Sequence, residues 1–143
     1  MTDTESCCPA TPEKVVPLVG GVVPHITVSD ASAASAFYQK ALGAEELTRL
    51  PAQDGKRLMH CHLRINGSSV MMNDAFPEFG CALTTPQSFV LHIHVDDVEP
   101  WWARAVEAGA EVVMPLQDMF WGDHYGQVRD PFGVIWSLAS TIR

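Results

Sequence analysis

The sequence predicts an α+β fold of two pseudo-symmetric βαβββ modules forming a half-barrel around a central cavity. Three observations carry this. Residues 23–30 read VPHITVSD and residues 90–97 read VLHIHVDD, so Val23, His25, Ile26, Val28 and Asp30 recur 67 positions later as Val90, His92, Ile93, Val95 and Asp97. Gly43-Ala44-Glu45 returns as Gly109-Ala110-Glu111 at an offset of 66. Between these echoes each copy holds a stretch of helical spacing. Fixed-period self-similarity is the signature of a repeated supersecondary unit, which buries its apolar face against its neighbour.

The elements follow in order. Residues 1–18, with three prolines and few large apolar residues, read as a disordered tail preceding a domain over 19–143. In the first module, 22–74, residues 22–29 alternate and are rich in Val, Ile and Thr, a strand signature that tolerates Pro24 near its start. Asp30 caps a helix from Ala31 to Leu42, where Ala33, Ala34, Phe37, Tyr38 and Ala41 recur at helical spacing, and Gly43 supplies the left-handed stop. Strands are expected over Glu45–Leu50, Arg57–Ile65 and Ser69–Asn73, with hairpin turns at Asp54-Gly55 and Asn66-Gly67. The second module, 89–140, opens with a strand over Phe89–Val95, caps a helix at Asp97, admits Pro100 in its first turn and stops at Gly109. Strands near Glu111–Met114, Gly126–Arg129 and Val134–Ala139 complete it. Asp74–Ser88 and Pro115–Tyr125 read as long aromatic loops, the kind that cover a site.

Composition narrows the function. A chain with 47% hydrophobic and 18% charged residues is not disordered, and no apolar run reaches the roughly 18 residues of a membrane span. A net charge of −8 with scattered Lys and Arg disfavours nucleic acid. The acidic, polar start lacks the pattern of a secretory signal, and a cytoplasmic protein is expected. Cys7, Cys8, Cys61 and Cys81 show no CxxC or zinc-ribbon spacing, which suggests reduced thiols without a role. No nucleophile elbow, Walker loop or dinucleotide fingerprint is present, against hydrolase, kinase and nicotinamide chemistry.

The paired βαβββ pattern, with FYQKALGAEEL after the first capping Asp and the terminal string VMPLQDMFWGDHYGQVRDPFGVIWSLAS, resembles the glyoxalase, bleomycin-resistance and extradiol-dioxygenase (vicinal oxygen chelate) superfamily over residues 22–140. Within it the chain resembles the PhnB-like branch. The scaffold hosts isomerases, thiol transferases, dioxygenases and binding proteins, so the resemblance implies the fold more narrowly than the activity. Relatives of this length pair, and a homodimer is expected.

The resemblance also implies where a divalent metal would be held. Its first-strand ligands fall on Val23 and Val90, neither of which can bind a metal. Its last-strand carboxylate falls on Ser137, and the fourth position lies near Met72–Asp74, where Asp74 is the nearest carboxylate. No cofactor is therefore expected. Against this stand six histidines: His25, His60, His62, His92, His94 and His124. On a strand His25 shares a face with Val23, and His92 and His94 share that of Val90. The expected ligand-binding residues are His25, His62, His92 and His94 with Phe120, Trp121 and Tyr125, forming a polar, aromatic-covered pocket for a small molecule. Two alternatives remain: a metal-dependent lyase or dioxygenase-like enzyme with a displaced histidine site, and a drug-sequestering protein without turnover.

Overall fold

The computed structural model describes residues 16–143, so the expectation of a disordered tail lies outside the described residues for 1–15. The chain divides into two compact units. The first reaches Thr84 apart from Lys40–Leu42, and the second comprises those three residues with Thr85–Arg143.

The first unit carries β1 (His25–Val28), α1 (Ala31–Leu42), β2 (Glu45–Pro51), β3 (Leu58–Ile65) and β4 (Ser68–Asp74). Its sheet has the order β1-β4-β3-β2, with β1 parallel to β4 and the other pairs antiparallel. The helix lies where its caps put it. Asp30 accepts a hydrogen bond from the Ala33 amide, and Gly43 ends the helix at φ 65°. One sheet face contributes Ile26, Val28, Cys61, Leu63, Ile65, Val70 and Met72 to a core that also buries Ala34 and Tyr38. Asp74 joins three elements, accepting from the Ala31 amide at 2.9 Å and the Leu58 amide at 2.7 Å. Beyond β4, Asp74–Ser88 is largely irregular, as expected, with one 3-10 turn at Pro77–Phe79 and a bridge from Phe76 to Cys81. Arg57 holds this segment, stacking over the Phe76 ring at 4.2 Å and pairing with Glu78 at 2.6 Å.

The second unit repeats the plan with β5 (Leu91–His94), α2 (Val98–Glu107), β6 (Glu111–Asp118), β7 (Asp123–Arg129) and β8 (Ile135–Thr141), in the sheet order β5-β8-β7-β6. Again the first strand runs parallel to the last. Asp97 caps α2 by accepting from the Glu99 amide. Of the tandem tryptophans, Trp102 turns to the sheet, where Gly126 makes room: a Cβ at Gly126 would lie 2.6 Å from Trp102 Cζ3. Trp101 instead stacks with Arg104, whose guanidinium carbon is 4.6 Å from the ring centroid.

Two expectations fail. Pro115–Tyr125 is not a long loop, because β6 extends through Asp118 and β7 starts at Asp123, leaving only residues 119–122 as the hairpin tip. Pro115 does not end the strand because β6 is the outermost strand of its sheet and its register shifts between Met114 and Gln117, so the missing N–H costs no ladder bond. The thiols are not all reduced either. Cys61 is free and buried, but Cys81 is disulfide-bonded. Disulfides join cysteines by position in space, which local spacing does not report.

Candidate functional site

In the second unit the parallel β5–β8 register sets His92 opposite Ser137 and His94 opposite Ala139, and the β7–β8 register sets Tyr125 opposite Ala139 and Gln127 opposite Ser137. Cross-strand partners share a face, and alternation sends Ile93, Trp136, Leu138 and Val128 to the buried opposite face, leaving the imidazoles and the phenol together.

These side chains form one connected network. His92 Nδ1 lies 2.6 Å from Ser137 Oγ, His92 Nε2 lies 3.3 Å from His94 Nδ1, and His94 Nε2 lies 3.0 Å from Thr141 Oγ1. Tyr125 stacks on His92 with ring centroids 5.9 Å apart, and its hydroxyl accepts from Gln127 Nε2 at 3.0 Å. Trp121 stands edge-on to Tyr125 at 5.4 Å, its indole N–H donating to Asp123, and Phe120 stands edge-on to Trp121. Ser137 is buried, whereas His92 and His94 are exposed, Trp121 is 48% exposed and Phe120 is 96% exposed. Partial burial, followed by the nearby His94, holds His92 below its ordinary value, and Asp123 opposes this only in part. His92 is thus a neutral imidazole near pH 7, able to accept a proton and pass it along a chain of hydroxyl and imidazole groups.

Five of the expected site residues, His92, His94, Phe120, Trp121 and Tyr125, are therefore brought together. His25 and His62 belong to the first unit's sheet, on the face turned from its core. There His25 is opposite Met71, which is opposite His62, and His60 shares the face. His62 is buried and bonds Ser69 Oγ through Nε2 at 2.8 Å. Burial lowers its pKa, with His60 and Arg64 adding to the effect. Burial lowers that of His60 as well, helped by His25.

The ligand positions that the resemblance assigns to a metal do not fit one. Val23 and Val90 offer no donor atom, Ser137 is hydrogen-bonded to His92, and both Asp74 oxygens accept backbone amides. Among the described residues no group of three or more His, Cys, Asp or Glu is placed to hold a metal ion. Cys61 is no nucleophile: burial and the neighbouring Glu46 carboxylate push its thiol up to about 12. His124 points to the helical side of its sheet, its two nitrogens 2.7 Å from Asp118 and 3.0 Å from Glu99.

Sequence reasoning treated Ser137 only as an empty ligand position and passed over Thr141, Gln127 and Asp123. Parallel pairing of β5 with β8 was the signal that would have found Ser137, because the first strand and the strand after DPFG then become neighbours.

Comparison with known proteins places these features. The family model described as Glyoxalase/Bleomycin resistance protein/Dioxygenase superfamily matches residues 19–138. An uncharacterized protein of Mycobacterium tuberculosis is 48% identical over 84% of this chain and 74% of its own length. Among solved structures, TioX from Micromonospora superposes with a TM-score of 0.70 and 27% identity, covering 86% of this chain and 99% of its own. A PhnB protein from Bacillus cereus shares the fold at a TM-score of 0.68 and 17% identity, covering 85% of this chain and 100% of its own.

Proposed function

Because the chain belongs to the Glyoxalase/Bleomycin resistance protein/Dioxygenase superfamily, we propose that it is a PhnB-like small-molecule-binding protein whose ligand lies against His92, His94, Tyr125 and Trp121. One observation carries the reading. His92, His94 and Tyr125 on one sheet face and Trp121 on the adjoining hairpin tip are ordered by contacts with one another and by bonds to Ser137, Thr141, Gln127 and Asp123, yet the imidazoles and Trp121 stay exposed. A face serving only the fold would bury such rings, since each represents about 150–250 Å² of apolar surface for Tyr or Trp. A ligand with a flat apolar part and a polar group supplies both contacts: the flat part against Trp121 and Tyr125, the polar group at the imidazoles. The same relay is suited to accept a proton from a bound acid, so turnover, if measured, is of the proton-transfer kind.

We further read the protein as a cytoplasmic homodimer without nucleic-acid or membrane partners. No described helix is long and apolar enough to cross a membrane. The outermost strand β6 carries Val112 and Val113 at 44% and 40% exposed, an edge suited to cover by a second copy.

Screening flat organic acids and bases by Trp fluorescence, followed by NMR of the histidine ring nitrogens, tests the binding reading. A saturating change at Trp121 accompanied by shifts at His92 and His94 is expected, and His92→Ala weakens both while leaving the amide spectrum folded. A ligand that binds tightly while His92→Ala and Trp121→Phe leave its affinity unchanged overturns it.

A further inference from the structure

Arg64 lies on β3 two residues beyond His62, on the same face, and its register partners are Ser69 on β4 and Glu45 on β2. Its Nε–H is buried with no hydrogen-bond partner, and its guanidinium makes no ion pair among the described residues. Glu45 stands opposite in register but is exposed and does not close an ion pair with it.

Burying a guanidinium donor unpaired is costly, because a charged donor removed from water without an acceptor loses its full hydration. The surroundings share one character. His62 adjoins along the strand, His60 follows two residues further, and His25 is reached across β4 through Met71. Ser69 Oγ, opposite Arg64, already accepts from the Val19 amide at 2.8 Å and stands 2.8 Å from His62 Nε2. Neighbouring residues on one strand face are about 7 Å apart and direct cross-strand partners about 5 Å, so Arg64, His62 and Ser69 converge within the reach of one small group. His25, His60 and His62 each bear a ring N–H, and Glu45 is the one carboxylate with a place on this face by register. A chain of net charge −8 has thus gathered three imidazoles and an arginine without an ion pair among the described residues on one sheet face.

We propose that this face of the first unit binds an oxyanion carried by a small ligand, a carboxylate or a phosphate, with Arg64 as its principal partner and His62 and His60 as further donors. The guanidinium fork matches either group with two parallel N–H bonds, which a lysine cannot reproduce. The proposal uses residues of the first unit alone and does not rest on the ligand reading given above for the second unit.

NMR of the arginine Nε–H and histidine ring nitrogens in the full chain, titrated with acetate and with inorganic phosphate at constant pH and ionic strength against chloride, tests it. A saturable shift of the Arg64 Nε–H together with His62 is expected for at least one oxyanion and not for chloride. Response to acetate alone assigns a carboxylate ligand, and response to phosphate alone a phosphate ester. Arg64→Gln abolishes the response with the amide spectrum intact. Where that variant is unstable, Arg64→Lys keeps the charge and loses the fork, and weakens binding about tenfold or more. No saturable shift with either oxyanion overturns the proposal. So does an Arg64 Nε–H that ignores both anions but moves in Glu45→Gln, which would identify Glu45 as its partner in solution.

Discussion

His92 Nδ1 lies 2.6 Å from Ser137 Oγ across the parallel pairing of β5 and β8, joining residues 45 positions apart. The bond ties one end of the imidazole relay to a hydroxyl that can donate or accept. If Ser137 donates, His92 carries its proton on Nε2, donates to His94 Nδ1, and His94 in turn donates from Nε2 to Thr141. If the chain runs the other way, both rings carry the proton on Nδ1.

His92 and His94 are accordingly expected to be the same tautomer above pH 7, because every link needs one donor and one acceptor. Ring-nitrogen chemical shifts read this directly. One Nδ1–H ring beside one Nε2–H ring would break the relay. Ser137→Ala removes the fixed end, costs about 1 kcal/mol of stability, and mixes the tautomers of His92.

Gly126→Ala is expected to destabilise the fold by about 1–3 kcal/mol, the usual range for overpacking. The added Cβ would lie 2.6 Å and 2.7 Å from two Trp102 ring carbons and 3.1 Å from the Leu116 Cα. Denaturant midpoints of Gly126→Ala alone and with Trp102→Leu check the cause. The double variant should recover part of what the single change loses, and simple additivity would show that the ring is not the obstacle.

Two histidines should give stability opposite pH dependences. Burial depresses the His62 pKa, so its contribution is present above the unfolded value of about 6.5 and is lost as pH falls through the folded value. His124 is raised: partial desolvation works against it, but the hydrogen bonds to Asp118 and Glu99 outweigh that. Its contribution is full below about 6.5 and lost as pH rises through its folded value. Both carboxylates of this clamp are largely exposed, which limits its worth to roughly 0.3–1 kcal/mol. Unfolding measured from pH 8 to pH 5 should show His62→Gln losing less stability on acidification than the parent, and His124→Gln losing more. Parallel curves for all three proteins would contradict both assignments.

What the sequence by itself determined is what depends on neighbours a few positions apart. The helix Ala31–Leu42 lies where Asp30 and Gly43 delimit it, since a cap is a bond between a side chain and an amide three residues on, and a left-handed stop is a property of one residue. The hairpin glycine at 67 and the recurrence of VPHITVSD as VLHIHVDD likewise placed strands and revealed the repeated module. Tertiary structure alone decided which side chains meet. Ser137 could be assigned to His92 only once β5 was registered against β8, and the continuation of β6 past Pro115 depended on its being an outermost strand. The register that puts His25, His62 and Arg64 on one sheet face, and the absence among the described residues of a partner for the Arg64 Nε–H, belong to the same class. Each depends on register and distance between segments far apart in the chain, and such pairings are set by the packing of whole sheets, which leaves no mark on the residues adjacent in sequence.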